Sequence, residues 1–149
     1  MKEIAKSQWV RIWDVAGMTP WMIYLAHKYK MKGWQRGFMV WAQVGTLLFN
    51  LRNLIRDRNV PTQRYHKIPF RMSSIYNYES GAEIREARAV QALRMGDIFL
   101  YGPMCMIIAK QHEMEPIEEA FLWYTGISTI LLNGANYILN RKEMTDAGI

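Results

Sequence analysis

Slid against itself by 83 residues, the sequence aligns residues 8–58 with 91–141 without a gap, and this repeat constrains the fold more than any other feature. Thirteen aligned positions hold the same residue. They are Gln8/Gln91, Arg11/Arg94, Asp14/Asp97, Pro20/Pro103, Ala26/Ala109, Met31/Met114, Phe38/Phe121, Thr46/Thr129, Leu48/Leu131, Asn50/Asn133, Asn53/Asn136, Ile55/Ile138 and Arg58/Arg141. Average residue frequencies would give only about three identities in such a window. Further pairs agree in kind, among them Trp41/Tyr124, Val44/Ile127 and Ile23/Met106. An internal duplication explains the pattern, and whatever one copy folds into the other must fold into as well.

Each copy reads as helix, short polar turn, helix. The first helices are predicted over roughly 8–28 and 83–111, and the second over roughly 35–57 and 117–141. Ser80-Gly81-Ala82-Glu83 has capping-box spacing and sets the start of the third helix near residue 81. Pro116 suits the opening of the last helix. Pro20 and Pro103 fall inside helices, where each removes a backbone hydrogen bond and favours a kink. The chain therefore divides into a first hairpin (1–58), a basic linker (59–80) and a second hairpin (81–149). The linker, with Pro61, Pro69, Tyr65, Tyr76 and Tyr78, reads as ordered but irregular. The expected fold is all-α, a four-helix arrangement of two tandem hairpins.

Half of the 149 residues are apolar, and six Trp, eight Tyr and eleven Met make disorder a poor description of the chain. The stretch Ala120–Leu139 holds twenty residues without a charge, enough to cross a hydrocarbon core. Gly37–Leu51 is also uncharged, while Val15–Ala26 and Ile98–Ala109 are uncharged for only twelve residues each. These first helices span only if the flanking Asp and Arg reach the interface or find partners. Many of the Trp and Tyr residues lie near segment ends, as in the aromatic belts of membrane proteins. A slightly negative mean hydropathy favours a soluble bundle instead, but the twenty-residue uncharged run tips the reading towards a multi-pass membrane protein. The N-terminus lacks an apolar core followed by small cleavage-site residues, so no removable secretory signal is expected.

A duplicated hairpin enters a membrane twice in the same sense, with both turns on one side and the linker on the other. The first turn (27–36) carries Lys28, Lys30, Lys32 and Arg36 without an acid. The second (110–119) carries Lys110 against Glu113, Glu115, Glu118 and Glu119. Turns of opposite sign can pair within a chain or between neighbours. Eight basic residues against four acids from Arg56 to Arg94 predict a cytoplasmic or matrix side for the linker, a reading that the basic first turn opposes.

Folded about residue 32, the first hairpin sets Asp14 opposite Asn50 and Arg11 opposite Asn53. Folded about residue 115, the second sets Asp97 opposite Asn133 and Arg94 opposite Asn136. The i, i+3 spacing keeps each Arg and Asp on one helical face. An Arg–Asp pair at apolar depth costs more than it returns unless its spare donors and acceptors are met. Facing asparagines can meet them, so a hydrogen-bonded structural cluster is expected in each hairpin. A proton or ion path through Asp14 and Asp97 is the sharper alternative.

The net charge of +6 suits an anionic membrane or nucleic acid and selects neither. Cys105 stands alone in an apolar run, which excludes an internal disulfide and a cysteine-based zinc site. His27, His66 and His112 lie in or beside polar turns without ligand spacing. No glycine-rich phosphate loop, triad or paired-carboxylate site is visible, so the expectation is a non-enzymatic protein without metal or cofactor.

Asp97-Ile98-Phe99-Leu100-Tyr101-Gly102-Pro103-Met104, with Gly126-Ile127-Ser128-Thr129-Ile130-Leu131-Leu132-Asn133-Gly134-Ala135-Asn136-Tyr137 further on, is similar to small uncharacterised membrane-hairpin proteins of viral or phage type. Those pair a D-x-F-x-x-G-P opening with an N-G-x-N-Y close. The first copy departs from the pattern, with Thr19-Pro20 for Gly-Pro and Asn50-Leu51-Arg52-Asn53 for Asn-Gly-x-Asn. The resemblance implies a viral or phage context and carries no activity.

The sequence thus predicts an integral membrane structural or assembly protein whose partners are lipid and either other proteins or copies of itself. A holin-like pore former, an accessory membrane subunit of a large complex such as a respiratory one, and a soluble helical-bundle virion protein are the other readings. Nucleic acid is the least expected partner.

Overall fold

A computed structural model describes residues 2–6, 8–56, 70–74, 81–146 and 148. Contacts divide the chain into two compact units, Lys6–Arg71 and Met1–Ala5 with Met72–Ile149.

In the first unit, helix α1 (Gln8–Trp13) runs without a break through a π-helical turn (Asp14–Met18) into α2 (Thr19–Lys28). The π turn has a local cause. Pro20 has no N–H to give the carbonyl four residues back, and its ring crowds that carbonyl. The helix widens by one residue, and the Thr19 N–H bonds to the Asp14 carbonyl, five residues back. Tyr29, in extended conformation (φ −95°, ψ 147°), ends the helix. Helix α3 (Gly33–Arg56) then returns antiparallel. Its start is half of a capping box: the Lys32 N–H donates to Gln35 Oε1 at 3.1 Å. Met22, Leu25, Ala26, Met31 and Met39 form the apolar core between the two arms.

The second unit repeats these breaks in register. Helix α4 (Gly81–Gly96) passes through a π turn (Asp97–Tyr101) into α5 (Gly102–Gln111), and α6 (Pro116–Asp146) returns. Here the Gly102 N–H bonds to the Asp97 carbonyl. His112 is the extended C-cap (φ −120°, ψ 137°), in the place of Tyr29. The core repeats too, with Cys105, Ile108, Ala109 and Leu122 in the places of Met22, Leu25, Ala26 and Met39. The expected kink sites at Pro20 and Pro103 are therefore π turns, and four helical rods account for most of the described residues.

Two features depart from the sequence reading. Strands β1 (Lys2–Lys6) and β2 (Phe70–Ser74) pair in a two-stranded sheet, β2 lying within the segment read as an irregular linker. Five-residue strands are too short to show a period in sequence. The rest of that linker, 59–69 and 75–80, and Ser80 of the capping box lie outside the described residues. Helix α6 also continues to Asp146, beyond the expected end at 141.

The apolar spans rank differently as well. Among the described residues one helix, Ala87–Gln111, is long and apolar enough to cross a membrane. From sequence, Ala120–Leu139 ranks first and the arm containing Ile98–Ala109 lower. Ala120–Leu139 carries no charge, but Asn133 and Asn136, with its Thr, Ser and Tyr residues, lower its mean hydropathy.

Candidate functional site

The polar residues of each hairpin converge on its interior. In the first, Gln8, Arg11, Asp14 and Thr19 on one arm and Gln35, Gln43, Asn50 and Asn53 on the other are buried. On α3 the buried positions 35, 39, 43, 50 and 53 step by three, four or seven, one stripe of a helix. The second hairpin buries Gln91, Arg94, Glu118, Thr125, Asn136 and Asn140.

At the open end of the first hairpin Arg11 Nη1 donates to Gln8 Oε1 at 3.1 Å and to the Asn53 carbonyl at 3.3 Å. Gln8 Nε2 in turn donates to the Leu54 carbonyl at 3.4 Å. The second hairpin matches it, Arg94 Nη1 donating to Gln91 Oε1 at 2.9 Å and Gln91 Nε2 to the Tyr137 carbonyl at 3.3 Å. Glutamine and arginine, one turn apart, form a clasp that reaches backbone carbonyls of the returning helix. Asn53 and Leu54 lie in the last turn of α3, where helical donors run out, and the Tyr137 carbonyl, inside α6, has a second lone pair to offer.

The sequence-predicted cluster is thus brought together in part. Arg11 meets Asn53, but through the backbone carbonyl rather than the side chain. Asn50 and Asn133, expected to face Asp14 and Asp97, each donate to a carbonyl of their own helix, Thr46 and Thr129, at 3.0 Å. Asn53 Oδ1 is buried without a hydrogen-bond partner. Asn136 is buried at the matching place. Asp14 is buried, whereas Asp97 is half-buried, so the acids no longer share an environment. Gln8 and Gln91 were missed as site residues, although their identity in the repeat and their i−3 spacing from arginine marked them.

Halfway along, the hairpins differ. In the second, a Cβ on Gly102 would lie 2.9 Å from the Gly126 carbonyl oxygen, and one on Gly126 only 2.6 Å from that of Gly102. The two backbones are in contact, as small residues permit. The first hairpin has Thr19 and Gln43 at these positions, both buried, and Thr19 Oγ1 has no hydrogen-bond partner.

The interior mixes apolar and polar side chains, whereas the outward faces of the returning helices carry long apolar stripes. Every seventh residue of α3, Trp34, Trp41, Leu48 and Ile55, is exposed, and so are their counterparts on α6, Ile117, Tyr124, Leu131 and Ile138. Trp41 and Tyr124 are 72% and 71% accessible while Gln43 and Asn140 are fully buried, an inversion of what water imposes. Trp9, Trp13, Phe99 and Leu100 extend the apolar exterior onto the other arms. His27 Nδ1 lies 2.8 Å from the Ile23 carbonyl, within its own helix. Among the described residues no three His, Cys, Asp or Glu side chains gather as metal ligands would. No protein-family model, curated protein or solved structure matches the chain.

Proposed function

We propose that the chain is a non-enzymatic integral membrane protein whose hairpins cross the bilayer and act by packing against protein partners or further copies of the chain. The observation that supports this most is the inverted amphipathicity: amides and arginine inside each hairpin, Trp, Tyr, Leu and Ile outside. In water, exposed apolar faces of this kind favour association or aggregation. In hydrocarbon the same faces are solvated, and side chains that would be costly against lipid are held between the arms. The helix Ala87–Gln111 is apolar enough to span by itself, and the other arms would be carried by their outward faces. With many polar side chains buried inside, the exterior offers lipid and neighbouring helices an apolar, aromatic surface. The basic linker is assigned to the cytoplasmic or matrix side.

The test is alkaline extraction of membranes from cells that express the full chain. The protein is expected to stay in the membrane pellet and to need detergent for release. Recovery as a monodisperse, detergent-free species would overturn the reading. Its size and partners in mild detergent then report the packing role.

A further inference from the structure

We infer that the turn of the first hairpin is a binding surface for the headgroups of anionic phospholipids. This rests on the membrane reading above and adds a partner to it. Lys28, Lys30, Lys32 and Arg36 are all exposed around the turn between α2 and α3. No Asp or Glu occurs from Val15 to Arg56, so this end of the hairpin holds positive charge with no acid beside it in sequence.

Aromatic rings stand among these cations. Lys28 Nζ lies 5.7 Å from the centre of the Tyr24 ring and 5.4 Å from that of Tyr29. The Trp21 and Tyr24 rings are 5.6 Å apart, and Trp34 is exposed at the first turn of α3. Amphipathic rings at headgroup depth beside lysines on flexible stems combine the two means by which a membrane surface is recognised.

The second hairpin supplies an internal control. Its turn keeps the geometry, with an extended cap at His112 and a helix restarting at Pro116. Yet Glu113, Glu115 and Glu119 replace Lys30, Lys32 and Arg36, and Met104, Ile107 and Ile117 replace Trp21, Tyr24 and Trp34. The fold therefore does not require the cations, and charge and aromatic rim changed together. The other candidate occupant is the acidic turn of a second copy. It accounts for the charge but not for the aromatic rim, and one of its four acids, Glu118, is buried.

The experiment uses the full chain in phosphatidylcholine vesicles with trace spin-labelled phosphatidylserine or phosphatidylcholine, and reads the fraction of each label immobilised on the protein. Phosphatidylserine is expected to be enriched by about twofold or more at low salt, the enrichment fading in molar salt as charges are screened. Lys30→Glu/Lys32→Glu/Arg36→Glu, three exposed changes that copy the second turn, should abolish it, and the triple Gln variant should weaken it. Equal immobilisation of both labels by the wild type, or enrichment that survives the charge reversal, overturns the inference. So does a crosslinked dimer in pure phosphatidylcholine that the reversal dissolves, since the occupant is then the acidic turn of another copy. Failure to immobilise either label instead overturns the membrane reading on which the inference rests.

Discussion

At the scale of single residues the Gln–Arg clasp shows what a repeat tells and what it conceals. Gln8/Gln91 is legible as an identity, but charge complementarity points from Arg to Asp at i+3 rather than to Gln at i−3. Which acceptor a guanidinium reaches depends on helix rotation, and the π turn at Asp14 and Asp97 shifts that rotation by about one residue. Gln91→Leu takes from Arg94 an acceptor at 2.9 Å and from the Tyr137 carbonyl a donor at 3.3 Å. A buried charged donor deprived of a bond costs about 1–3 kcal/mol. Thermal unfolding in detergent should show a clear fall in midpoint, and an unchanged midpoint would remove the clasp from the stabilising contacts. The acids offer a second comparison. Asp14→Leu is expected to lower the midpoint more than Asp97→Leu, because Asp14 is 4% exposed whereas Asp97 is half-buried. Equal losses would argue that burial does not set the difference.

At the scale of elements, the helices were legible because the duplication supplied each boundary twice. Pro20 and Pro103 told where the first arms are irregular, and the sterics of proline explain why. The form of the irregularity, a widened turn rather than a sharp kink, was not legible, since the sterics of proline are met by either. Nor did the repeat reveal that one crossing has become glycine on glycine, where the other hairpin carries Thr19 and Gln43 at the aligned positions. Opposite consequences follow for the two crossings. Gly126→Leu drives a side chain into the Gly102 carbonyl, and overpacking of this kind costs about 1–3 kcal/mol or separates the arms. Crosslinking yield between cysteines placed on α5 and α6 should fall with it, and an unaltered yield would mean that the arms slide at little cost. Thr19→Val replaces a buried hydroxyl that has no partner with a methyl group of similar size. The midpoint should hold or rise, since an unsatisfied buried hydroxyl costs about 1–3 kcal/mol. A marked fall would show that the hydroxyl finds a partner in solution.

For the whole molecule, the inversion of inside and outside leads to a statement about topology. If each hairpin crosses the membrane as proposed, its antiparallel arms return the chain to the side it entered from. Sequence hydropathy alone was a poor guide to this. It mixes Gln43 with Trp41 and Asn136 with Ile138, neighbours in the chain that occupy opposite environments. Single cysteines separate the two environments when placed in a chain whose buried Cys105 is changed to Ala. In sealed vesicles of one orientation, Lys30→Cys and Glu113→Cys should react with a membrane-impermeant maleimide from the same side. Leu48→Cys and Leu131→Cys, on faces 61% and 67% accessible in the protein alone, should not react from either side until the lipid is removed. Reaction of the two turns from opposite sides would break the rule that each hairpin returns. Reaction of Leu48→Cys as fast as Lys30→Cys would place the outward stripe in water, and the amides inside each hairpin would then need another explanation.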